Sequence, residues 1–279
     1  MNQFSTNPVK EKKRKLSFVH AILNPMSRRP RPYVKIEFRK GNFLVKTADT
    51  KDELSQVYQL RHEIFYREFA GKSHVLGVDH DRYDKHADML IIVDLSTGKV
   101  VGSYRIICSE FSKRFYSASE FHIDSFLSQE GVKVELSRAC IHKDYRNGSA
   151  IRLLWRGVYE YLNRVKGVFL FGCSSVSGLS SSSILSLIGY LQKQGRVLAD
   201  FSIYPHDAYD KSSTLLKDLR DLDFGNMLEH IPALFRAYLN AGAKFEVVPA
   251  YDESFLCYDF FTVLNLKDLR QSHSKALGT

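Results

Sequence analysis

The sequence predicts an α+β fold in which a mixed, mostly antiparallel sheet is flanked by helices. Two apolar runs, residues 89–94 and 100–107, are joined through Ser-Thr-Gly-Lys, which is typical of a β-hairpin and therefore of antiparallel neighbours. Another run, residues 132–141, is followed by a helical pattern and then by a further apolar run, and such a crossover makes parallel neighbours. Hairpins mixed with single crossovers indicate one mixed sheet rather than a doubly wound parallel one.

Before the hairpin, residues 42–47 (NFLVKT) are predicted to form a short strand. A helix is predicted to begin near Asp52, because apolar residues then recur at helical spacing. These residues are Leu54, Val57, Tyr58, Ile64 and Phe65. Glycines punctuate residues 71–87, which we interpret as a loop.

After the 132–141 strand, the pattern predicts a helix over 149–165 and a strand over 168–173. The Ser-rich residues 174–183 are predicted to be a connection and a helix cap. Residues 195–225 show no clear period. The remaining predicted elements are helices at 183–194 and 232–241 and strands at 244–249 and 256–265.

The charge of the chain divides near residue 40. Residues 1–40 contain eleven Lys and Arg against two Glu, whereas the rest of the chain has 29 basic and 29 acidic side chains. A nucleic-acid-binding domain is expected to have a basic surface of its own, so the neutral body argues against a nucleic-acid partner. We expect a basic, flexible extension (1–40), one domain (41–270) and a short tail (271–279).

The basic extension contains KEKKRK at 10–15 and SRRPRP at 27–32, with an apolar run of eight residues between them. Eight residues are too few to span a bilayer. One interpretation is a solvated arm. A second is that residues 10–31 contact an anionic membrane peripherally, because each basic residue near such a surface adds roughly 1 kcal/mol. An acidic macromolecular partner is a third interpretation.

The four cysteines are widely spaced, and no two of them form C-x-x-C. Three lie inside apolar, strand-like runs, which favours buried free thiols over disulfides or metal ligands. The sequence therefore predicts a cytoplasmic, reducing location and no metal site.

The stretch VELSRACIHKDYRNGSAIRLLW at residues 134–155 departs from the pattern of a buried strand. Glu135, Ser137 and Arg138 lie within its opening run, and charged groups are seldom buried without a partner or a function. The run breaks at Asn147-Gly148, and a helix follows. Because N–H groups at a helix start attract anions, this turn is a candidate phosphate site. G-x-S-x-G, H-E-x-x-H, Walker and G-x-G-x-x-G motifs are absent from the sequence.

The hexapeptide YRNGSA that follows the strand resembles the Q/R-x-x-G-x-G/A loop of the GNAT acyltransferases, which grips the pyrophosphate of the acyl donor. Tyr145 stands where that pattern has Gln or Arg, which favours a donor held by its phosphopantetheine arm over acetyl-CoA. The resemblance implies a GNAT-like fold. It places five residues at the donor site: Tyr145, Arg146, Gly148, Ser149 and Ala150.

Charged residues along the body also resemble those of the acyl-homoserine-lactone synthases, which are GNAT-like and take acyl chains from acyl carrier protein. The residues in the matching order are Arg61, Phe65, Asp81, Asp84, Arg105, Glu135 and Arg138. A tryptophan of that family, expected near Ala70–Gly71, is missing.

A closer resemblance, to the ornithine–acyl-carrier-protein N-acyltransferases, spans residues 42–266. It includes the segments DRYDKHADMLIIVD, VVGSYRI, ELSRACIHKDYR, RLLWRGVYEY and FLFGCSS. It also includes a late D-x-x-F-x-x-x-D formed by Asp252, Phe255 and Asp259.

These resemblances imply that a primary amine attacks an acyl thioester. Glu135 is then the expected general base, with a salt bridge to Arg138 as the open alternative. A backbone N–H of the 134–141 strand is expected to bind the oxyanion, with Arg105 or Arg138 adding charge.

The remaining residues of the resemblance are expected to bind substrate. Asp81 and Asp84 would bind ammonium groups and Arg61 a carboxylate, with Ser137 in the same site. Phe65 is expected either in the wall of the acyl pocket or in the ordinary core. The alternative for the charged residues is a surface ion-pair cluster.

Arg152 and Arg156 lie four apart and therefore on one face of the predicted helix. This face is expected either to dock the acidic acyl carrier protein or to be a solvated surface. No bound cofactor is expected, since acyl-phosphopantetheine on the carrier protein is the co-substrate.

The function implied is transfer of a long, 3-hydroxylated acyl chain from acyl carrier protein to the α-amine of an amino acid, ornithine first, in bacterial aminolipid synthesis. Two alternatives stay open. One is a synthase of acyl-homoserine-lactone or N-acyl amino acid signals. The other is an inactive, membrane-associated acyl-binding protein.

Overall fold

The computed structural model describes residues 31–69, 71, 76–215 and 231–266, which contain one main sheet of nine strands. Its strands are β1 (Glu37–Lys40), β2 (Phe43–Thr47), β3 (Asp88–Asp94), β4 (Lys99–Cys108), β6 (Val132–Ile141), β7 (Gly167–Ser177), β9 (Lys244–Phe245), β10 (Ala250–Asp252) and β11 (Cys257–Asn265). Across the sheet they follow the order β1-β2-β3-β4-β6-β7-β11-β10, with β9 paired to β11. A second, two-stranded sheet pairs β5 (Phe121–His122) with β8 (Tyr204–Pro205).

Six α-helices are described alongside these strands. They are α1 (Lys51–Arg61), α2 (Asp124–Leu127), α3 (Ser149–Val165), α4 (Ser181–Lys193), α5 (Ser212–Leu215) and α6 (Ala233–Ala241). Thr50 and Glu53 form a capping box that fixes the start of α1. After Arg61 the helix continues in π geometry over His62–Phe69.

The predicted mixed sheet is confirmed. The β3–β4 pair is antiparallel, and the crossover through α3 makes β6 and β7 parallel. The structure differs from the expectation at several strands. The strand predicted near 244–249 ends at Phe245, and Ala250–Asp252 form a separate strand. Glu37–Lys40 lie in the extension predicted to be flexible, yet they pair with β2, and Ile36 before them is fully buried. The strand predicted to end at residue 173 continues to Ser177, because β11 pairs with it along its whole length.

Two apolar clusters pack on opposite sides of the central strands. Because side chains alternate along a strand, Ile106 of β4 joins the cluster that packs with α3, α4 and α6, while Ile107 joins the other. The second cluster is rich in aromatic rings, with Phe126 and Phe171 in edge-to-face contact.

The predicted free thiols are confirmed, since all four cysteines are free. Residues 1–30, which hold nearly all of the basic extension, lie outside the described residues, as does the tail 271–279. Within the described ranges, no helix combines the length and apolar character needed to cross a membrane.

A cleft opens where β6 and β7 separate. The two strands are in parallel register from Val132 to Glu135, where Glu135 faces Phe171. Beyond this point β6 stays with β4, whereas β7 stays with β11. The cleft therefore lies in the middle of the sheet, lined by the second half of each strand.

Gly172 occupies the last point of close approach between β6 and β7. A Cβ there would lie 2.3 Å from the carbonyl oxygen of Leu136, which is backbone and cannot rotate away. We expect Gly172→Ala to lower the free energy of unfolding by about 1–3 kcal/mol and to reduce activity by displacing β6. Gly102→Ala is the matched control, because a Cβ there would lie 3.3 Å from the end of the Ile92 side chain and at an ordinary contact distance of 3.6 Å from the Cys140 carbonyl oxygen and Ile141. Equal stability of the two variants in urea unfolding would contradict this expectation.

Candidate active site

The cleft between β6 and β7 contains a cavity of about 290 Å³. Ser137 and Arg138 line it from β6, and Cys173 and Ser175 line it from β7. Aromatic and apolar side chains cover it, namely Phe65, Phe69, Tyr104, Tyr116, Leu234, Tyr238 and Phe255. The cavity thus combines apolar walls with a few polar groups, as ligand sites usually do.

The backbone of β6 is irregular where it borders the cavity. Arg105 of β4 faces Ser137, and Ser103 faces Cys140, so β6 has one more residue than β4 between these two pairs. Arg138 within this bulge has φ of 52°, a left-handed conformation that is uncommon for a residue other than glycine. A bulge leaves a backbone group without its ladder partner and redirects the side chain, which here enters the cavity wall.

Arg138 is held among aromatic rings. Its guanidinium carbon lies 5.0 Å from the ring centre of Tyr116, 5.6 Å from that of Phe65 and 5.8 Å from that of Phe255. Its Nε also donates to Asp79 Oδ2 at 3.1 Å. The sequence-predicted residues Phe65, Ser137 and Arg138 are therefore brought together at one cavity.

Three arginines and three aspartates form a largely buried ion-pair network next to the cavity wall that β6 forms. The members are Arg61, Arg105, Arg138, Asp79, Asp81 and Asp84. Arg61 donates to Asp79 at 3.0 Å and to Asp84 at 2.8 Å. Arg105 donates to both oxygens of Asp81 at 2.6–2.7 Å and to Ser137 Oγ at 2.8 Å.

The network changes the roles predicted for several residues. Arg61 and Arg105 are fully buried, and Arg61, Asp81 and Asp84 pair within the network instead of lining the cavity. Burial alone would raise the pKa of Asp84, but Arg61 and Arg105 hold it well below its usual range. These residues pair with one another behind the β6 wall, and their direct binding of substrate stays a prediction. Asp79, which bridges Arg61 and Arg138, was missed because its partners lie far away in sequence.

Glu135 lies next to the cavity wall but does not line the cavity. Its side chain is fully buried and accepts three hydrogen bonds of 2.7 Å, from the backbone N–H groups of Tyr116 and Ser117 and from Ser117 Oγ. Burial raises the pKa of Glu135, and the donors from Ser117 and Tyr116 act against that rise. This arrangement fixes the turn that carries Tyr116. The general-base role, which needs an open side toward substrate, stays a prediction.

The predicted donor loop lies at the start of α3. Gly148 has φ of 84° at the N-cap, and the Asn147 side chain accepts from the N–H of Ser149 at 3.1 Å. Tyr145 donates to Asp94 at 2.7 Å, and Arg146 forms an ion pair with Glu68. Ala150 is buried beneath the loop. A phosphate at this helix start would therefore compete with Glu68 for Arg146.

The two arginines predicted to dock a carrier protein lie on α3. Arg156 pairs with Glu160 at 3.2 Å, and its guanidinium carbon lies 4.0 Å from the ring centre of Phe38. Arg152 is exposed one turn earlier, so both face away from the core.

A further group of carboxylates, Glu120, Asp252 and Asp259, was not singled out as a site from the sequence. One carboxylate oxygen from each lies within 4.8 Å of the others, and Asp252 and Asp259 line the cavity. Burial and the neighbouring Asp252 raise the pKa of Asp259 to about 6. The only sequence signal for this group was the late D-x-x-F-x-x-x-D motif, which contains Asp252 and Asp259 but not Glu120.

Comparison with known proteins supports an acyltransferase. Residues 60–156 match the acetyltransferase (GNAT) domain. The L-ornithine N(alpha)-acyltransferase of Brucella abortus is 25% identical over 256 residues, covering 86% of this chain and 90% of that protein. The enzyme of the same name from Rhizobium meliloti is 26% identical over 240 residues, covering 81% of each.

Among solved structures, a CoA-dependent acyl-homoserine lactone synthase bound to SAM and isopentyl-CoA aligns with a TM-score of 0.43 at 16% identity, covering 81% of this chain and 82% of that one. Residues 60–156 thus match the acetyltransferase (GNAT) domain, and the chain is similar over most of its length to curated L-ornithine N(alpha)-acyltransferases.

Proposed function

We propose that this enzyme moves a long 3-hydroxyacyl chain from acyl carrier protein to the α-amine of ornithine, as the N-acylation step of bacterial aminolipid synthesis. The observation that carries the proposal is the cavity in the β6–β7 cleft, which sets Arg138 and two carboxylates among apolar walls. Ornithine is proposed as the amine that is acylated because the homologous enzymes are named for it. A second, O-acylating enzyme would then complete the lipid.

The cleft suits attack on a thioester. A phosphopantetheine arm lying between β6 and β7 would pair with backbone groups left free where the two strands separate. The bulge at Arg138 would place a backbone N–H toward the thioester oxygen, and the guanidinium would add positive charge as the oxyanion develops. The amine then forms the new C–N bond, the C–S bond breaks, and the thiolate leaves on the carrier protein.

The attacking amine must lose a proton, since an α-amino group has a pKa of roughly 8. We predict that Glu135 accepts this proton through a water molecule. This role would be additional to the hydrogen bond that Glu135 accepts from the N–H of Tyr116. Transfer to a positioned carboxylate contributes on the order of 10²–10⁴-fold to such a step.

The aromatic side of the cavity is proposed to receive the first carbons of the acyl chain. Phe65 and Phe255 are in edge contact, with ring centres 6.5 Å apart, and Phe69 beside them is 61% exposed. A chain longer than the cavity would continue over Phe69 toward the surface. Because the product is an amphiphile, we propose that the enzyme works at the cytoplasmic face of the membrane, with residues 10–31 on anionic lipid.

The α3 face is proposed to dock the carrier protein. We expect Arg152→Glu to raise the KM for acyl carrier protein about tenfold, because a like charge then faces an acidic partner. Turnover of a small pantetheine thioester should not change, because that donor does not touch α3. Lys193→Glu, at the end of α4, is a control of the same charge change. Equal effects of Arg152→Glu on both donors would contradict docking at this face.

The function is tested with the purified protein, a long-chain 3-hydroxyacyl carrier protein and a pool of amines that includes ornithine, glycine, lysine, tyrosine and S-adenosylmethionine. Mass spectrometry identifies every amide formed, with acetyl-CoA and palmitoyl-CoA in parallel reactions. An acyl-ornithine that requires the carrier protein is the expected product. An acyl-homoserine lactone or another acyl amino acid would make the enzyme a signal synthase, and turnover with acetyl-CoA alone would contradict the carrier-protein donor.

A further inference from the structure

Three carboxylates from distant parts of the chain meet beside the cavity, which Asp252 and Asp259 line and Glu120 does not. Glu120 follows the short 3₁₀ turn at 117–119, Asp252 ends β10, and Asp259 lies on β11. Their oxygens lie within 4.8 Å of one another, and all three side chains are buried. Like charges at this separation repel strongly at low dielectric, and burial together with the neighbouring Asp259 raises the pKa of Glu120. The empty cluster therefore takes up a proton, which a bound cation would replace.

The neighbouring groups satisfy this cluster only in part. Ser175 Oγ donates to Asp259, and the N–H groups of Ser254 and Phe255 donate to Asp252 at 2.7 and 3.2 Å. Glu120 is 1% exposed, and its Oε2 has no hydrogen-bond partner among the described residues. A buried, unpartnered carboxylate oxygen is costly, and its position in this cluster indicates that a donor is missing.

We infer that Glu120, Asp252 and Asp259 bind a second, protonated amine on the acceptor, so that the enzyme selects diamino acids. This inference rests on the proposed function. An ammonium group carries three donors, which matches three surrounding carboxylates. Arg138 lines the β6 side of the same cavity, so the charge proposed to stabilise the oxyanion would also attract the α-carboxylate. With both ends of the amino acid held, the side-chain amine stays protonated and away from the thioester, and the α-amine is the one acylated.

The test compares ornithine with norvaline, which has the same carbon chain but lacks the side-chain amine. With acyl carrier protein saturating, we expect the wild type to prefer ornithine in kcat/KM by at least about 100-fold, because a site built for a polar group rejects an analogue without it. Asp259→Asn should reduce this preference to below about tenfold, chiefly by raising the KM for ornithine. Glu120→Gln should act in the same direction. Asp200→Asn, an exposed carboxylate that pairs with Lys244 at 3.7 Å, is the control and should keep the preference.

The pH dependence provides a second readout. Since the pKa of Asp259 is about 6, the ornithine preference should fall as the pH drops below 6 and the carboxylate is protonated. The α-amine titrates in both substrates and cancels in the ratio. The charged and titratable groups around Asp259 are Glu120, Asp252, Arg138, Cys257, Tyr116, Cys173 and Tyr209. In Asp259→Asn this pH dependence of the ratio should be lost.

Several outcomes would overturn the inference. Equal losses with ornithine and norvaline would give the cluster a structural or proton-transfer role, and loss of activity with EDTA that Mg²⁺ restores would make it a metal site. Calorimetric binding of ornithine and norvaline to the enzyme without donor separates this test from the proposed function. If the enzyme acylates no amine, yet binds ornithine more tightly than norvaline and loses that preference in Asp259→Asn, the inference stands while the proposed function fails. If it binds both equally, the inference is wrong.

Discussion

Replacing Arg61 with methionine is expected to lower the free energy of unfolding by about 3–5 kcal/mol, because removing one partner of a buried ion pair leaves the other uncompensated. Arg61 and Asp84 have fully buried side chains and lie 2.8 Å apart. Methionine retains much of the apolar stem but not the charge, so Asp84 would depend on Arg105 at 3.1 Å. Urea unfolding followed by circular dichroism measures the loss.

Arg156→Met is the matched control for this prediction, since it removes an arginine from an ion pair at the surface. The Arg156 side chain is 52% exposed, so solvent screens its pairing with Glu160 and we expect a change within about 1 kcal/mol. If Arg61→Met is no more destabilising than this control, the network is not structural. The guanidinium of Arg61 would then be available for a ligand, as the sequence suggested.

The same network predicts an acid dependence of stability. The pKa of Asp84 is held below its usual range, so its contribution is complete above about pH 4 and is lost as the pH falls further and the native carboxylate is protonated. In Arg61→Met the depression of this pKa is smaller. The difference in stability between wild type and variant should therefore narrow below pH 4.

The sequence identified most of the scaffold because the elements that form it are strongly patterned. The helix predicted over 149–165 is α3 from Ser149 to Val165. Strand ends were harder to place, because they depend on partners distant in the chain. Residues 174–177 look like a Ser-rich loop, yet the antiparallel register with β11 extends the strand through them. Likewise, β1 is recognisable only once β2 is known to pair with it.

The candidate site was predicted as a set of residue types but not as a set of contacts. The resemblance to the acyl-homoserine-lactone synthases implied that Arg61, Asp84 and Arg105 belong to one site, and the structure brings them together. The sequence could not show that these charges neutralise one another, because side-chain pairing depends on tertiary distances. Nor could it show that Glu120 meets Asp259, since 139 positions separate them and Glu120 belongs to no recognised motif.

Replacing Arg138 with asparagine is expected to reduce kcat/KM by about 10²–10³-fold, the usual cost of removing one group that stabilises an oxyanion. Arg138 is the arginine of the network that lines the cavity, and its φ of 52° lies in the left-handed region. Asparagine adopts this conformation more readily than most residues, so the bulge in β6 should be preserved. Asp79 would keep its ion pair with Arg61 at 3.0 Å. Steady-state kinetics and thermal unfolding of the same preparation separate lost chemistry from lost folding.

Lys166→Asn makes an equivalent change outside the cavity. Lys166 also has φ of 52°, is exposed at the C-cap of α3, and likewise loses a positive charge when replaced by asparagine. We expect this control to retain wild-type activity, while Arg138→Lys, which keeps the charge but not the planar fork, should fall between the two. Arg138→Asn that folds and turns over normally would remove Arg138 from the reaction. The oxyanion would then be stabilised by the backbone of β6 alone, and the ion-pair network behind it would serve only to hold that strand in its bulged shape.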